Sequence, residues 1–356
     1  MSLSSQHAES AGALARIEEI LRAEGFEHFG FAELVKPITI DVYEAWLAEG
    51  LQGEMDYLDR HLETKREPQR LMKRARSAIV LTLDYLPHPE PMAETGLGRI
   101  TNAKVAAYAR GRDYHHFLSA RMKRVCEALK SLYPEEDFAH FTDSGPVLER
   151  DLAQRAGLGW VGKNTCLIGK GRGSLFFIAE IYTSLALPVA KITSPDHCGT
   201  CTRCLDACPT GALVSPRKLD ARKCISYLTI ESRETPPVEL RPMMGDWLFG
   251  CDICQTVCPW NVKAHGPEKL AANKASASDL ESDLRYLLTS SNRGLENDFK
   301  GTALARSGGV GLKRNALVVA GNRKLSGLTP EIEALVGHPK LGELARWALA
   351  AVSASE

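Results

Sequence analysis

The chain has 356 residues, 44% of them hydrophobic, with 44 Lys+Arg set against 44 Asp+Glu. Those are ordinary values for a globular protein of two or three domains. There is no global basic field to hold a polyanion, although local patches remain able to bind one. No apolar run approaches the ~20 residues needed to cross a bilayer. The polar start, MSLSSQHAES, carries no secretory signal and reads as a frayed end. Together with thiol-rich chemistry, which calls for a reducing compartment, this predicts a cytoplasmic protein away from membranes.

In chain order, residues 11–24 predict a helix with Leu14, Ile17, Ile20 and Leu21 on one face and Gly25 at its end. A second helix is expected from Asp41 to Ala48, followed by a charged stretch over 53–75. Ser77 to Leu83 reads as a buried strand. Pro87, Pro89 and Pro91 make a loop, and Val105 to Arg110 reads as a short strand. A long amphipathic helix should run from Tyr114 to Tyr133, with Cys126 as a buried free thiol. Then come a strand at Phe138 to Thr142, the turn Asp143-Ser144-Gly145-Pro146 and a helix from Val147 to Ala156. A glycine-dense stretch from Gly157 to Gly173 precedes a strand from Leu175 to Leu185. The alternation predicts an α/β domain over residues 1–190, with a cysteine-rich module over 191–265. Residues 266–356 read as helices, Asp279 to Leu288, Leu295 onward, Leu312 to Ala320 and Gly342 to Val352, in a small solenoid-like array.

The module carries the strongest chemical signal. Cys198-x2-Cys201-x2-Cys204-x3-Cys208-Pro209 is followed by Cys224 and by Cys251-x2-Cys254-x3-Cys258-Pro259. This is the ligand spacing of two cubane iron–sulfur clusters, in which the cysteine before each proline crosses to the other cluster. The second run has Leu248 where its first cysteine belongs, and Cys224 is the nearby spare. One 4Fe–4S cluster is therefore assigned to Cys198, Cys201, Cys204 and Cys258, the other to Cys208, Cys224, Cys251 and Cys254. Structural zinc is the competing reading, but it favours pairs of C-x2-C. Cys166, in the glycine-rich stretch, reads as a packing residue.

A ferredoxin-like module implies a second site that takes the electrons: a flavin, a corrinoid or a substrate. No G-x-G-x-x-G opens a helix after a strand, and Gly157-x-Gly159-x-x-Gly162-Lys163 lacks Walker A spacing. Asp113-Tyr114-His115 begins the D-x-H-x-x-G corrinoid signature, but Leu118 stands where its glycine belongs. Asp143, at a strand end before a turn, is the carboxylate to single out. It is a proton donor on one reading and, with Ser144, a helix N-cap on the other.

Several stretches then carry a family resemblance. Tyr108 to His115, Thr142 to Pro146, Ala156 to Thr165, the cysteine framework with its odd Cys224, and Leu312 to Ala316 together resemble epoxyqueuosine reductase, from about residue 53 to the end. The resemblance implies an α/β cobalamin-binding N-terminal domain, a ferredoxin-like module with two 4Fe–4S clusters, and a C-terminal helical, HEAT-like region that contacts tRNA. It implies reduction of epoxyqueuosine to queuosine at the wobble position of the anticodon, the last step in making queuosine. A relationship to reductive dehalogenases comes with it.

By the same resemblance Asp143 is the general acid, with its pKa expected to be raised by burial. The implied cobalamin contacts are Arg66, Tyr108, Asp143, Lys163, Asn164, Thr165 and Ser226. For tRNA phosphates the candidates are Arg217, Lys218, Arg222 and Lys223 near the module, and Lys313, Arg314, Arg323 and Lys324 on the C-terminal helices. The electron donor is expected to be a flavodoxin or a small ferredoxin, and the protein a monomer. A corrinoid reductive dehalogenase acting on a small molecule and a pure electron carrier are the competing functions.

Overall fold

The computed structural model describes residues 3–91, 95–189, 195–270 and 276–354. Its N-terminal layer is a four-stranded sheet built from β1 (His28–Glu33), β2 (Ser77–Asp84), β3 (Phe138–Phe141) and β4 (Phe176–Thr183). The order is β1-β2-β4-β3 and every pairing is antiparallel. The layer is therefore α/β in composition without the parallel crossover units that alternating elements usually announce. The strand β1 had no counterpart in the sequence reading. Its stretch, HFGFAE, is short and half-exposed, and it becomes a strand by pairing with β2.

Side chains alternate across the sheet with a period of two, so both faces must be covered. Ile79, Leu81, Ala179 and Ile181 face Ile17 and Leu21 of α1 (Leu3–Ala23) and Leu118, Met122, Val125 and Leu129 of α3 (Tyr114–Leu132). Ala78, Val80, Phe176 and Tyr182 face Leu152, Ala153 and Ala156 at α4 (Glu149–Arg155). Helix α1 starts at Leu3, well before the predicted position 11, while Met1 and Ser2 lie outside the described residues. It ends as predicted: Gly25 takes φ +83°, and the Phe26 amide donates to the Leu21 carbonyl at 3.0 Å. Cys126 is half-buried, and desolvation pushes its thiol up to about 12. Val105 to Arg110 is not one strand: Lys104–Val105 pairs in parallel with Trp247–Phe249, and Ala107–Ala109 forms a 3-10 turn.

The expected boundary at residue 190 falls among residues outside the described ones. Between the two cysteine runs the chain does not stay with the module. The segment with α5 (Ile225–Ile230) and Trp247–Phe249 packs into the core of the C-terminal helices α6 (Ala277–Thr289), α7 (Asn292–Asp298), α8 (Gly308–Arg323) and α9 (Gly342–Ser353). Helix α8 is the pillar of this core, buried almost all round. Its polar residues are accommodated by bonding to backbone. The Asn315 amide donates to the Thr229 and Leu248 carbonyls at 2.8 and 2.9 Å, and the Arg314 guanidinium to the carbonyls of Leu228 at 2.7 Å, Glu234 at 3.1 Å and Ser232. No described helix is long and apolar enough to cross a membrane.

Candidate active site and cluster-binding loops

Two halves of the site come from the ends of the N-terminal layer. Asp113 caps α3, its carboxylate accepting the His115 amide at 3.0 Å. This places Tyr114 and His115 on the first turn, directed at the loop after β3. That loop carries Asp143 with φ +53°, a left-handed conformation that an L-residue adopts at a cost. Asp143 does not cap the following helix: α4 begins six residues later, at Glu149, and the Ser144 hydroxyl donates back to the Thr142 carbonyl. The capping reading is thereby overturned.

The Asp143 carboxylate accepts the Tyr114 hydroxyl at 2.5 Å and stands 3.3 Å from His115 Nε2. The other ring nitrogen of His115, Nδ1, sits 2.7 Å from Asp113. The imidazole thus bridges two carboxylates. Burial opposes its charge, but the hydrogen bonds and charges of Asp113 and Asp143 prevail and raise its pKa to about 9. Asp143 moves the other way. Desolvation pushes its carboxyl up, yet hydrogen bonds from His115 and Tyr114 outweigh this and hold it below its ordinary value. The expectation that burial raises Asp143 is therefore corrected: with its side chain 60% exposed and its partners holding the charge, it is an ionised carboxylate facing a protonated imidazole. Tyr114 is kept protonated well above its ordinary value by burial and by the Asp143 charge. Its ring stacks on His115 at 4.2 Å and on Phe177 at 4.6 Å, with Tyr108 edge-on at 6.1 Å.

Sequence reasoning missed His115 and Tyr114 as site residues, and also the opposite rim. Arg306 lies in electrostatic range of Asp143, pairs with Glu231 at 2.9 Å and sits over the Tyr57 ring at 5.8 Å.

The cysteines gather in two groups. Cys198, Cys201, Cys204 and Cys258 line one cavity of about 360 Å³, with Trp260, His197 and Lys163 around it. The Trp160 indole N–H donates to Cys198 Sγ at 3.5 Å. Cys224 and Cys251 lie within electrostatic range of Cys208 and of each other, and Cys254 within range of both Cys224 and Cys251. This partition matches the one read from spacing. Cys166, expected to be a packing residue, lies against Cys254, and the two thiols shift each other's pKa in opposite directions.

The residues expected at a cobalamin are placed as follows. Lys163 Nζ donates to the Gly199 and Cys201 carbonyls at 2.6 and 2.9 Å, tying the first cysteine loop down. Buried Asn164 donates to the Cys254 carbonyl at 3.3 Å. Thr165 takes φ +68°, and its carbonyl accepts Arg150 at 2.5 Å. Tyr108 stands beside Tyr114, while Ser226 lies two residues past Cys224 on α5. Arg66 is spent on Glu44 at 2.7 Å and Glu63 at 2.6 Å.

Among the basic candidates, Arg314 and Lys313 are buried and do not offer themselves to a phosphate, which corrects that expectation. Arg217, Arg222 and Arg323 are exposed and Lys218 part-exposed, but all four are ion-paired, with Asp196, Asp220, Asp246 and Glu49 respectively. Lys223 and Lys324 are exposed.

The comparisons agree on one family. The model described as "Epoxyqueuosine reductase QueG, DUF1730" matches residues 65–144, and a "4Fe-4S double cluster binding domain" matches 197–261. The second match takes the cysteine groups away from zinc and toward iron–sulfur. The epoxyqueuosine reductase of Pseudomonas aeruginosa is 38% identical over 345 residues, covering 94% of each chain. A solved epoxyqueuosine reductase with an epoxyqueuosine-modified tRNA-Tyr stem loop superposes with a TM-score of 0.81 at 27% identity, covering 96% of this chain and 91% of that one. A structure from Bacillus subtilis, whose catalytic aspartate loop is swung out of the active site, gives 0.80 at 27% identity with the same coverage.

Proposed function

The chain belongs to the epoxyqueuosine reductase family, and from that premise we propose how its residues divide the work. It is an iron–sulfur oxidoreductase that reduces epoxyqueuosine in tRNA. The finer reading is that it acts at the wobble position of the anticodon, as the last step of queuosine synthesis. Two electrons and two protons convert the epoxide into an alkene and water; both carbon–oxygen bonds break and one carbon–carbon π bond forms.

The thiols of Cys198, Cys201, Cys204 and Cys258 hold one 4Fe–4S cluster, and those of Cys208, Cys224, Cys251 and Cys254 the other. A cavity lined by four thiols suits a cubane. Cobalamin would be held between Asp143 and the second group, because one loop links the two. The loop with Asn164, Thr165 and Cys166 is tied to Cys254 on one side and, through Arg150, to the start of α4 beside Asp143 on the other. When bound, the clusters supply single electrons and cobalamin supplies a low-valent cobalt able to reduce the epoxide carbon. Arg66, Tyr108, Lys163, Asn164, Thr165 and Ser226 remain its proposed contacts, of which Lys163 and Asn164 act chiefly by holding the cysteine loops in place.

The observation that carries the acid–base role is the chain Asp113–His115–Asp143. At neutral pH the proton rests on His115, with Asp143 beside it at the cleft. Asp143 passes that proton to the departing epoxide oxygen, the second proton of the water formed comes from solvent, and Asp113 keeps the imidazole oriented and charged. Exposed Lys223 and Lys324 hold backbone phosphates. The first thiol group opens beside Arg203 and Lys263, which suits an acidic one-electron carrier such as a flavodoxin or small ferredoxin. The protein is read as a cytoplasmic monomer. Residues 1–190, 191–265 and 266–356 are read as cobalamin-binding, cluster-binding and tRNA-contacting parts.

A gel-shift titration at graded salt tests the substrate class. Retention of an epoxyqueuosine-bearing stem loop, weakening as salt rises, supports the reading. No specific shift would favour a small-molecule reductase or a bare electron carrier.

A further inference from the structure

Behind Asp143 stand two more carboxyls that the acid–base chain does not use. Glu149, the first residue of α4, accepts the Asp143 backbone N–H. Glu180, on the central strand β4, is fully buried, and neither of its carboxyl oxygens has a hydrogen-bond partner among the described residues. Its register opposite Phe141 and Val80 puts it on the sheet face that α4 covers, with Tyr182 and Phe176 two and four residues away on the same face. Three carboxyls therefore share one small region, at the end of a strand and the start of a helix, and an apolar run such as Phe176–Thr183 does not hold a glutamate without a reason.

We propose that Glu149 is a positioning residue for Asp143: its uncharged carboxyl latches the Asp143 amide and so fixes the loop in the left-handed conformation that aims the acid into the cleft, with Glu180 held as a second neutral carboxyl behind it. The inference rests on reading Asp143 as the acid.

The electrostatics run in the required direction. Burial, and then the Asp143 charge, raise Glu149 to about 8, so it is protonated at neutral pH. Burial, with Glu149 and Asp143 nearby, raises Glu180 well above its ordinary value. The charged and titratable groups around Glu149 are Asp143 and His115 across the loop, Arg150 beside it on α4, Tyr114 on α3, and Glu180 and Tyr182 on β4. Above its pKa, Glu149 becomes a second anion against the Asp143 carboxylate. The repulsion opposes the latch, and the loop is freed to swing. In a family whose Bacillus subtilis member has been seen with its catalytic aspartate loop out of the active site, such a latch gives that movement a residue and a pH.

The test uses the full-length protein with its clusters and two variants, Glu149→Gln and Glu149→Ala. The amide side chain of glutamine keeps an uncharged acceptor at every pH, whereas alanine has none. Hydrogen exchange of the peptide carrying the Asp143 amide needs no turnover, so it separates failure of the latch from failure of the functional reading. With intrinsic rates removed, wild-type protection should drop roughly tenfold between pH 6.5 and 9, should be missing in Glu149→Ala at both, and should persist at both in Glu149→Gln. In turnover, Glu149→Ala should lower kcat about 10- to 100-fold with KM little changed. Glu149→Gln should stay within about twofold at pH 7 and should lose the limb near pH 8, leaving only the limb of His115. Iron content and melting temperature verify that each variant is folded. Equal protection in all three proteins, or a Glu149→Gln enzyme that fails like Glu149→Ala with an unmoved pH profile, overturns the proposal.

Discussion

Replacing His115 with glutamine tests the acid–base chain where it is most exposed to refutation. Glutamine can still donate a hydrogen bond to Asp143, so the loop is kept, but it holds no releasable proton. In the wild type the imidazole titrates at about 9, so at pH 7 roughly 99% of molecules carry the proton beside Asp143. Without it the proton must reside on Asp143 itself. A carboxyl at its ordinary 3.8 is protonated in only about one molecule in a thousand at pH 7. Burial, no longer opposed by His115, raises that fraction. His115→Gln should therefore lose about 100- to 1,000-fold in single-turnover rate at pH 7, and should recover roughly tenfold for each pH unit of acidification down to pH 5. Wild type should be flat over that range. Single-turnover conversion of an epoxyqueuosine stem loop, followed by rapid quench, reads both quantities. A variant within twofold of wild type at pH 7, or one whose profile runs parallel to it, refutes the relay.

Other consequences follow from the same geometry. Cys224→Ser should lose roughly half the protein's iron, whereas Cys166→Ser should keep all of it, because Cys166 contacts Cys254 without belonging to either four-thiol group; iron and sulfide analysis decides. Arg314→Met removes a buried guanidinium and leaves the carbonyls of Leu228, Ser232 and Glu234 without their donor. It should cost about 2–4 kcal/mol, read as a lower midpoint of thermal inactivation, with tRNA affinity unchanged in the protein that remains folded. Lys223→Ala should weaken stem-loop binding modestly and lower the salt slope of binding by about one, while leaving the conversion rate at saturating RNA as it was.

The double-cluster pattern is legible because such cysteines lie close in sequence, and the 4Fe-4S double cluster family match covers the same stretch; the structure brings the thiols into two groups. The long helix α3 and the buried strands β2 and β4 were legible for a related reason, since each announces itself within its own stretch. What was hidden depends on distance along the chain. His115 becomes functional only when the loop after β3 brings Asp143 back to the first turn of α3; in the sequence it stands only at the start of an imperfect corrinoid signature and at the end of a family-like stretch. The direction of the Asp143 shift went wrong for the same reason: burial was foreseen, while the imidazolium and the tyrosine hydroxyl that outweigh it were not. Arg314 reads as a surface phosphate contact because a basic residue on an amphipathic helix is ordinarily solvated. In the fold that helix is the central pillar, and its polar groups satisfy backbone carbonyls. Glu180 did leave a signal, a lone acid inside LFFIAEIYT, whose meaning needed the α4 face to be seen.

The most direct test of the central claim is nucleoside mass spectrometry of epoxyqueuosine-containing tRNA after anaerobic incubation with the reconstituted protein, a low-potential reductant and cobalamin. The account predicts loss of one oxygen to give queuosine, dependent on cobalamin and lost in Asp143→Asn with clusters intact. Unchanged tRNA from wild-type protein with both clusters and cobalamin bound, or full conversion by Asp143→Asn, would contradict it.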